Sequence, residues 1–139
     1  MSVRAYPLGP WFAHLAGADR CLPVEVDAAF WESGVQALPA GRLVSMFEST
    51  EDWQVWECHP EGEELIVQIE GELVLVMDLG GEHQRVVLRA GEFAVVPQGV
   101  WHTADVVSPG RGLYITPGEG TQSRERQGAA KCWRSSGIV

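Results

Sequence analysis

The chain has 139 residues, of which 45% are hydrophobic and 21% are charged, a composition that suits one globular domain around one core. Its formal net charge of -9 disfavours nucleic acid and anionic membrane surfaces as partners, because like charges repel. No apolar run approaches the ~20 residues that a membrane helix needs, and the N-terminus lacks the apolar segment of a signal peptide. We therefore expect a cytoplasmic protein that binds neither nucleic acid nor membrane.

The three cysteines, Cys21, Cys58 and Cys132, show no Cys-x-x-Cys spacing. An odd number of widely spaced cysteines is typical of free thiols in a reducing compartment. We interpret them as ordinary small side chains and not as catalytic nucleophiles.

The two ends of the chain differ in composition from the middle. Residues 1–23 contain three prolines, which predict an irregular segment that wraps the outside of the domain. Residues 123–139 are polar and glycine-containing, which predicts a flexible C-terminal tail. The sequence thus predicts a single domain over residues 1–122, followed by that tail.

One short helix is predicted near the N-terminus, over residues 28–33. Asp27 is a suitable N-cap, and Gly34 is a suitable residue to end the helix. Phe30 and Trp31 are expected to anchor the helix by burial.

Short apolar stretches separated by Gly- and Pro-containing turns follow this helix. A turn about every 8 to 12 residues is typical of an all-β sandwich or barrel. The pattern predicts about eight short antiparallel strands, at residues 42–48, 53–57, 65–69, 73–77, 85–88, 93–96, 103–107 and 112–116.

The stretch WECHPEGEELIVQIEG, residues 56–71, concentrates candidate functional side chains in one turn before an apolar strand. Four residues separate His59 from Glu64, and six separate Glu64 from Gly71. Glu57 shares the parity of His59, so on a strand both side chains would project from the same face.

A second stretch, GEFAVVPQGVWH, spans residues 91–102. It resembles the second conserved motif of the cupin superfamily, G-x5-P-x-G-x2-H-x3-N, and the first stretch resembles the first motif, G-x5-H-x-H-x3-4-E-x6-G. Two positions depart from these motifs, with Glu57 in place of the first His and Val106 in place of the closing Asn. The residues that match the second motif are Gly91, Pro97, Gly99 and His102.

The resemblance implies a small single-domain bacterial cupin, an antiparallel jelly-roll β-barrel (double-stranded β-helix). Cupins bind a divalent metal ion through the histidines and the glutamate of the two motifs. By position, the ligands would be Glu57, His59, Glu64 and His102.

The same four side chains favour a metal site on physical grounds. Two imidazoles and two carboxylates give a mixed N/O ligand set that suits Fe, Mn, Ni or Zn. Without a cation, Glu57 and Glu64 would repel each other and lose hydration, and a bound metal ion would remove that cost.

The alternation of residues 63–70 conflicts with the motif spacing. Leu65, Val67 and Ile69 share a face with Glu63, so an amphipathic strand would turn Glu63 inward. The motif spacing selects Glu64 instead. We predict Glu64 as the ligand and keep Glu63 as the alternative.

Several other residues have ordinary interpretations. His14 and His83 are expected to be surface or hydrogen-bonded histidines, and Trp101 is a candidate for the wall of the pocket mouth. Gly71, Gly91 and Gly99 are expected to serve turns. Side chains that would either line the pocket or pack in the core are Phe47, Trp53, Gln68, Met77 and Tyr114.

The sequence leaves three functions open. The first is a metal-dependent enzyme of the dioxygenase or isomerase class that acts on a small organic molecule, with a free Glu57 carboxylate as general base. The second is a non-catalytic cupin that binds a small polar or sugar-like ligand, and the third is a metal-free structural barrel. A homodimer is also expected, because residues 73–76 are too apolar to face water on either side.

Overall fold

The computed structural model describes residues 3–127, which form nine strands in one curled antiparallel sheet. Helical structure in this part of the chain is confined to a π-helical turn at Phe30–Gly34 and a 3₁₀ turn at Val35–Ala37, preceded by two α-helical residues. The predicted all-β barrel with a short N-terminal helix is confirmed. The strands are β1 (Trp11–Ala16), β2 (Arg20–Glu25), β3 (Gly41–Ser49), β4 (Val55–Cys58), β5 (Glu64–Leu79), β6 (Glu82–Arg89), β7 (Phe93–Val96), β8 (Trp101–Thr116) and β9 (Gln122–Glu125).

Residues 11–25 form a hairpin of β1 and β2, so the predicted irregular structure was wrong from residue 11 onward, whereas residues 3–10 form no strand or helix. β2 pairs only with β1 and is an edge strand, where Pro23 is tolerated because one side of the strand makes no ladder hydrogen bonds. Along β1, alternate residues are buried. They turn Phe12, His14 and Ala16 toward the interior.

The helical segment begins as predicted. The backbone N–H of Phe30 donates to Asp27 Oδ1 over 2.9 Å, which is the predicted N-cap. Phe30 is buried against Phe12, with ring centroids 5.8 Å apart. Trp31 is 53% exposed, so its predicted burial was wrong. The segment also continues past Gly34, which has ordinary helical backbone angles and does not end it.

The two longest strands, β5 and β8, lie side by side in the barrel and pair along most of their length. The first half of β5 also pairs with β7 and its second half with β6. The strands predicted at 65–69 and 73–77 are therefore one strand, with register shifts between Gln68 and Leu73. Gly71 lies at this irregularity with φ +79°, and a Cβ there would lie 2.5 Å from the Pro109 carbonyl oxygen. Only glycine allows β5 and β8 to approach this closely.

The apolar core lies inside the curled sheet. Leu73 and Leu75 contribute to it, and Val76 on the opposite face of β5 is also buried, at 2% exposed. The core cluster consists of Trp53, Ile66, Leu73, Leu75, Leu88, Val96, Ala104 and Tyr114. No helix among residues 3–127 is long and apolar enough to span a membrane.

The predicted boundary between domain and tail falls inside β9. Residues 122–125 pair with β4, with Glu57 opposite Ser123, so residues 123–125 belong to the sheet. Residues 128–139, the rest of the predicted tail together with Cys132, lie outside the described part of the chain. Cys21 is an exposed free thiol and Cys58 is a buried free thiol.

Candidate metal centre

The four predicted ligands converge because their strands are neighbours. Glu57 lies in β4 directly opposite His102 in β8, and His59 follows β4 in the next turn. Glu64 is the first residue of β5, a strand that also pairs with β8. Three segments that are distant in sequence thus bring two imidazoles and two carboxylates together.

The distances among their donor atoms are short. Glu64 Oε1 lies 3.1 Å from His102 Nε2 and 3.4 Å from His59 Nε2. Glu57 Oε1 lies 3.8 Å from His59 Nε2. Glu57, His59 and His102 each offer a ligand atom, all within 4.8 Å of one another. These separations are of the size expected between ligands that share one ion.

The centre is deeply buried, except at Glu57. His102 is 0% exposed, His59 and Glu64 are 4% exposed, and the Glu57 side chain is 25% exposed. Three atoms that face one another there, His59 Nε2, Glu64 Oε1 and His102 Nε2, are buried without a hydrogen-bond partner. Buried polar atoms without partners are costly, so their convergence indicates a site for a cation.

Hydrogen bonds behind the centre fix the orientation of its side chains. His102 Nδ1 donates to the Val100 carbonyl oxygen over 3.0 Å, which leaves Nε2 of the neutral ring with its lone pair toward Glu64. His59 Nδ1 bonds Thr121 Oγ1 at 2.9 Å. Thr116 Oγ1 donates to Glu64 Oε2 over 2.7 Å, so only Oε1 of that carboxylate remains without a partner. Such supporting bonds are typical of metal ligands.

The pKa shifts follow from the same geometry. Burial alone would raise the pKa of Glu64, but its contacts with His102 and His59 lower it to about 2. Burial would lower the pKa of His102, but the Glu64 carboxylate outweighs burial and raises it. The pKa of Glu57 is raised by burial and by the neighbouring Glu64 charge. The Glu64 carboxylate therefore stays ionised, and the centre favours a bound positive charge.

The residues present suit a divalent metal ion. Two imidazole nitrogens and two carboxylates supply the mixed N/O donors that Fe, Mn, Ni and Zn accept. The unpaired atoms of His59, Glu64 and His102 lie close together, so a bound ion would give them a shared partner. Glu57, His59, Glu64 and His102 would hold it.

The geometry favours Glu64 over Glu63, in agreement with the motif spacing. Glu64 is buried and contacts both histidines, whereas Glu63 is exposed. Along β5, the alternate residues Glu64, Ile66 and Gln68 face the interior. Simple amphipathic alternation predicts the wrong inward face of β5, because the barrel interior beside Glu64 is a polar site and not an apolar core.

A cavity of about 1060 Å³ lies beside the centre, and Glu57 borders it. Three of the predicted pocket side chains, Phe47, Trp53 and Tyr114, line its wall. Trp101 is absent from this wall and instead packs beneath the Arg124 guanidinium, 4.5 Å from its ring centroid. The predicted role of Trp101 at the pocket mouth was wrong, because its parity in β8 is opposite to that of His102.

Sequence reasoning missed the position of His14, which lines the cavity and is 5% exposed. Its Nε2 donates to the Pro39 carbonyl oxygen over 2.7 Å, so the expectation of a hydrogen-bonded histidine was correct in part. The alternation of β1 was the available signal, and the neighbouring prolines concealed it. His83 is exposed, as expected.

Fold and site together define a small all-β barrel with a candidate centre of two histidines and two carboxylates. A family model described as "Cupin domain" matches residues 44–116, more than half of the chain. The chain belongs to the cupin family. No curated protein matches it.

Solved structures with a similar fold include a cupin-2 domain containing protein from Shewanella frigidimarina NCIMB 400. It is 24% identical, with a TM-score of 0.47, over 55% of this chain and 70% of that chain. Hydroxypropylphosphonic acid epoxidase from S. wedmorenis, in complex with fosfomycin, is 15% identical, with a TM-score of 0.48, over 54% and 43%. Oxalate oxidase in complex with the substrate analogue glycolate is 20% identical, with a TM-score of 0.50, over 58% and 45%. The chain spans less than half the length of these two enzymes, and the likeness to oxalate oxidase shows the fold alone.

Proposed function

We propose that this protein is a metal-dependent cupin enzyme of the dioxygenase or isomerase class that acts on a small organic molecule. One observation carries the proposal: His59 Nε2, Glu64 Oε1 and His102 Nε2 converge, buried and without partners. The adjoining cavity of about 1060 Å³ is large enough for such a substrate.

When bound, the metal ion would supply Lewis-acid or oxygen-binding chemistry. His59, Glu64 and His102 are held in place by Val100, Thr116 and Thr121, so these three side chains form the rigid part of the site. Burial of the centre keeps water away from it.

Glu57 is the candidate general base when its carboxylate is not bound to the metal ion. It is the only one of the four residues that borders the cavity, and its raised pKa makes its carboxylate a better proton acceptor. A proton removed from a cavity ligand would therefore move to a Glu57 carboxylate oxygen.

Elemental analysis after chelation and reloading tests the metal site. We expect one divalent ion per chain in the wild type, none in His102→Ala and reduced occupancy in Glu57→Ala, because Glu57 is the most exposed ligand. His83→Ala is the matched control, since His83 is exposed and outside the centre. Equal metal content in all four folded proteins would contradict these ligands, and no metal in any of them would favour the alternative of a metal-free structural barrel.

Oxygen uptake separates catalytic roles from binding alone. Consumption by the Fe(II)-loaded protein with a cavity ligand, lost in His102→Ala, supports a dioxygenase. Conversion of a ligand to an isomer without oxygen uptake supports an isomerase. A ligand that binds and is recovered unchanged supports the non-catalytic binding cupin.

A further inference from the structure

The charged residues that border the cavity beside Glu57 are acidic. Among the described residues, neither lysine nor arginine borders it. The charge of Glu57 would be neutralised by a divalent ion, but the charges of the other acidic residues that border the cavity would not. A cavity of one sign attracts ligands of the opposite sign and repels those of the same sign. The acidic residues that border it are Glu48, Glu51, Asp52, Glu57 and Glu119.

The same cavity has an aromatic wall. Trp31 and Phe47 are 53% and 42% exposed, and their ring centroids lie 6.2 Å apart. Phe47 also packs edge-on against Tyr114 at 5.9 Å, and Tyr114 lies 6.2 Å from Trp53. Aromatic faces left open to a cavity offer apolar contact to a ligand body and cation–π contact to a positive group.

His14 adds an unpaired acceptor to this wall. Its Nε2–H donates to the Pro39 carbonyl, so Nδ1 carries the lone pair of the neutral ring. That Nδ1 is buried and has no partner in the protein. Since Nε2–H is already used, His14 offers no free N–H donor to a carboxylate or a phosphonate in the cavity.

We propose that the cavity binds an organic cation, an amine with an apolar or aromatic body, and discriminates against anionic ligands. The proposal rests on the proposed function in that this ligand would lie beside the metal centre as its substrate. The acidic residues attract the ammonium group, the aromatic wall holds the apolar body, and His14 has no free N–H to offer an anionic group.

A matched series of ligands tests the charge preference: 2-phenylethylamine, 2-phenylethanol and 3-phenylpropionate. Binding is measured by calorimetry, with the metal-free protein first so that coordination to a metal ion cannot contribute. We expect the amine to bind about tenfold more tightly than the alcohol, with the propionate weakest. The preference should shrink in high salt, because mobile ions screen exposed charges.

Variants of the cavity wall test whether the amine binds in this cavity. We expect Trp31→Ala and Glu119→Gln each to weaken amine binding several-fold. Tyr6→Ala and Glu82→Gln are the matched controls, since both residues are exposed and lie outside the cavity. They should bind the amine as the wild type does.

Three outcomes would overturn the proposal: equal or tighter binding of the propionate or the alcohol, equal effects of wall and control variants, or no binding of the amine at millimolar concentration. Metal content is measured on the same preparations. A protein that binds metal but shows no amine preference retains the proposed function and loses this inference. A protein that prefers the amine but binds no metal does the reverse.

Discussion

Glu57 has opposite effects on the metal-free and the metal-bound protein. Burial and the Glu64 charge raise its pKa, which means that the folded chain holds its proton more tightly than the unfolded chain does. As pH rises from the ordinary value of 4.5 through the raised value, the folded state loses stability relative to the unfolded state. Ionised Glu57 therefore destabilises the metal-free protein near neutral pH, and a bound cation would reverse that effect.

Glu57→Gln tests this balance. In chelator near neutral pH, we expect a higher Tm than that of the wild type, because a buried charge is removed. Well below pH 4.5 the difference should vanish, because Glu57 is then protonated in both states. The Tm gain on adding metal should be smaller in the variant, and exposed Glu82→Gln should change neither quantity. A lower Tm of Glu57→Gln in chelator would contradict the argument.

Thr116 supports the centre without contacting the histidines. Its hydroxyl donates to Glu64 Oε2, so Thr116→Val keeps the shape and removes the bond. We expect metal affinity to fall by about 10- to 100-fold, measured by competition with a chelator. Thr50→Val, at an exposed position, is the control. An affinity equal to that of the wild type would show that Glu64 is held in place without this bond.

Sequence analysis identified the four residues of the centre, because motif spacing encodes which strands meet. The positions of His102 and of Glu64 followed from spacing, and alternation would have chosen Glu63. His14 was missed because its role depends on the hairpin of β1 and β2, which the prolines concealed. Alternation in β1 would turn His14 inward, but it does not indicate that His14 borders a cavity formed mainly by β3 and by loop residues.

At the scale of the elements, the pairing of β5 with β8 depends on one glycine. Gly71 and Gly80 have nearly the same backbone conformation, with φ of +79° and +73°. A Cβ at Gly71 would contact the Ser108 and Pro109 carbonyl oxygens, whereas a Cβ at Gly80 would meet nothing within 4 Å. The two positions therefore separate the cost of the conformation from the cost of the contact.

We expect Gly80→Ala to lower the free energy of unfolding by about 1–2 kcal/mol, the ordinary cost of left-handed backbone. Gly71→Ala should cost clearly more, because the strands must also move apart. Urea unfolding curves of both variants measure the difference. Equal losses would mean that β5 and β8 separate there without cost.

The strands themselves were predicted well where turns bound them clearly, as for β3 and β7. The long strands were predicted in pieces, because Gly71 and the pair Pro109–Gly110 are typical of turns. In the structure these residues are irregularities inside paired strands. Local turn chemistry does not distinguish a bulge from a hairpin, since that distinction depends on the partner strand.

At the scale of the whole molecule, the apolar surface lies elsewhere than the sequence indicated. Residues 73–76 are largely buried within one chain, so their apolar character no longer supports a dimer. The outer face of the sheet instead carries two apolar rows across paired strands. The first is Val95, Leu65, Ile115, Val44 and Ala13, and the second is Phe93, Val67, Leu113 and Met46.

This outer face is the expected site of homodimer formation. Phe93 is 65% exposed and Val95 is 44% exposed, and a contiguous apolar face across five strands is large for a monomer. We expect sedimentation velocity to give about twice the 15.2 kDa chain mass for the wild type, as for a symmetric dimer. Phe93→Glu should give the monomer mass, because two charges would be buried in one symmetric interface. Val107→Glu is the matched control, since Val107 is 57% exposed but lies outside both rows, and it should remain a dimer. A wild type that sediments as a monomer at micromolar concentration would contradict the expected dimer, and a dimeric Phe93→Glu would place the interface on another face.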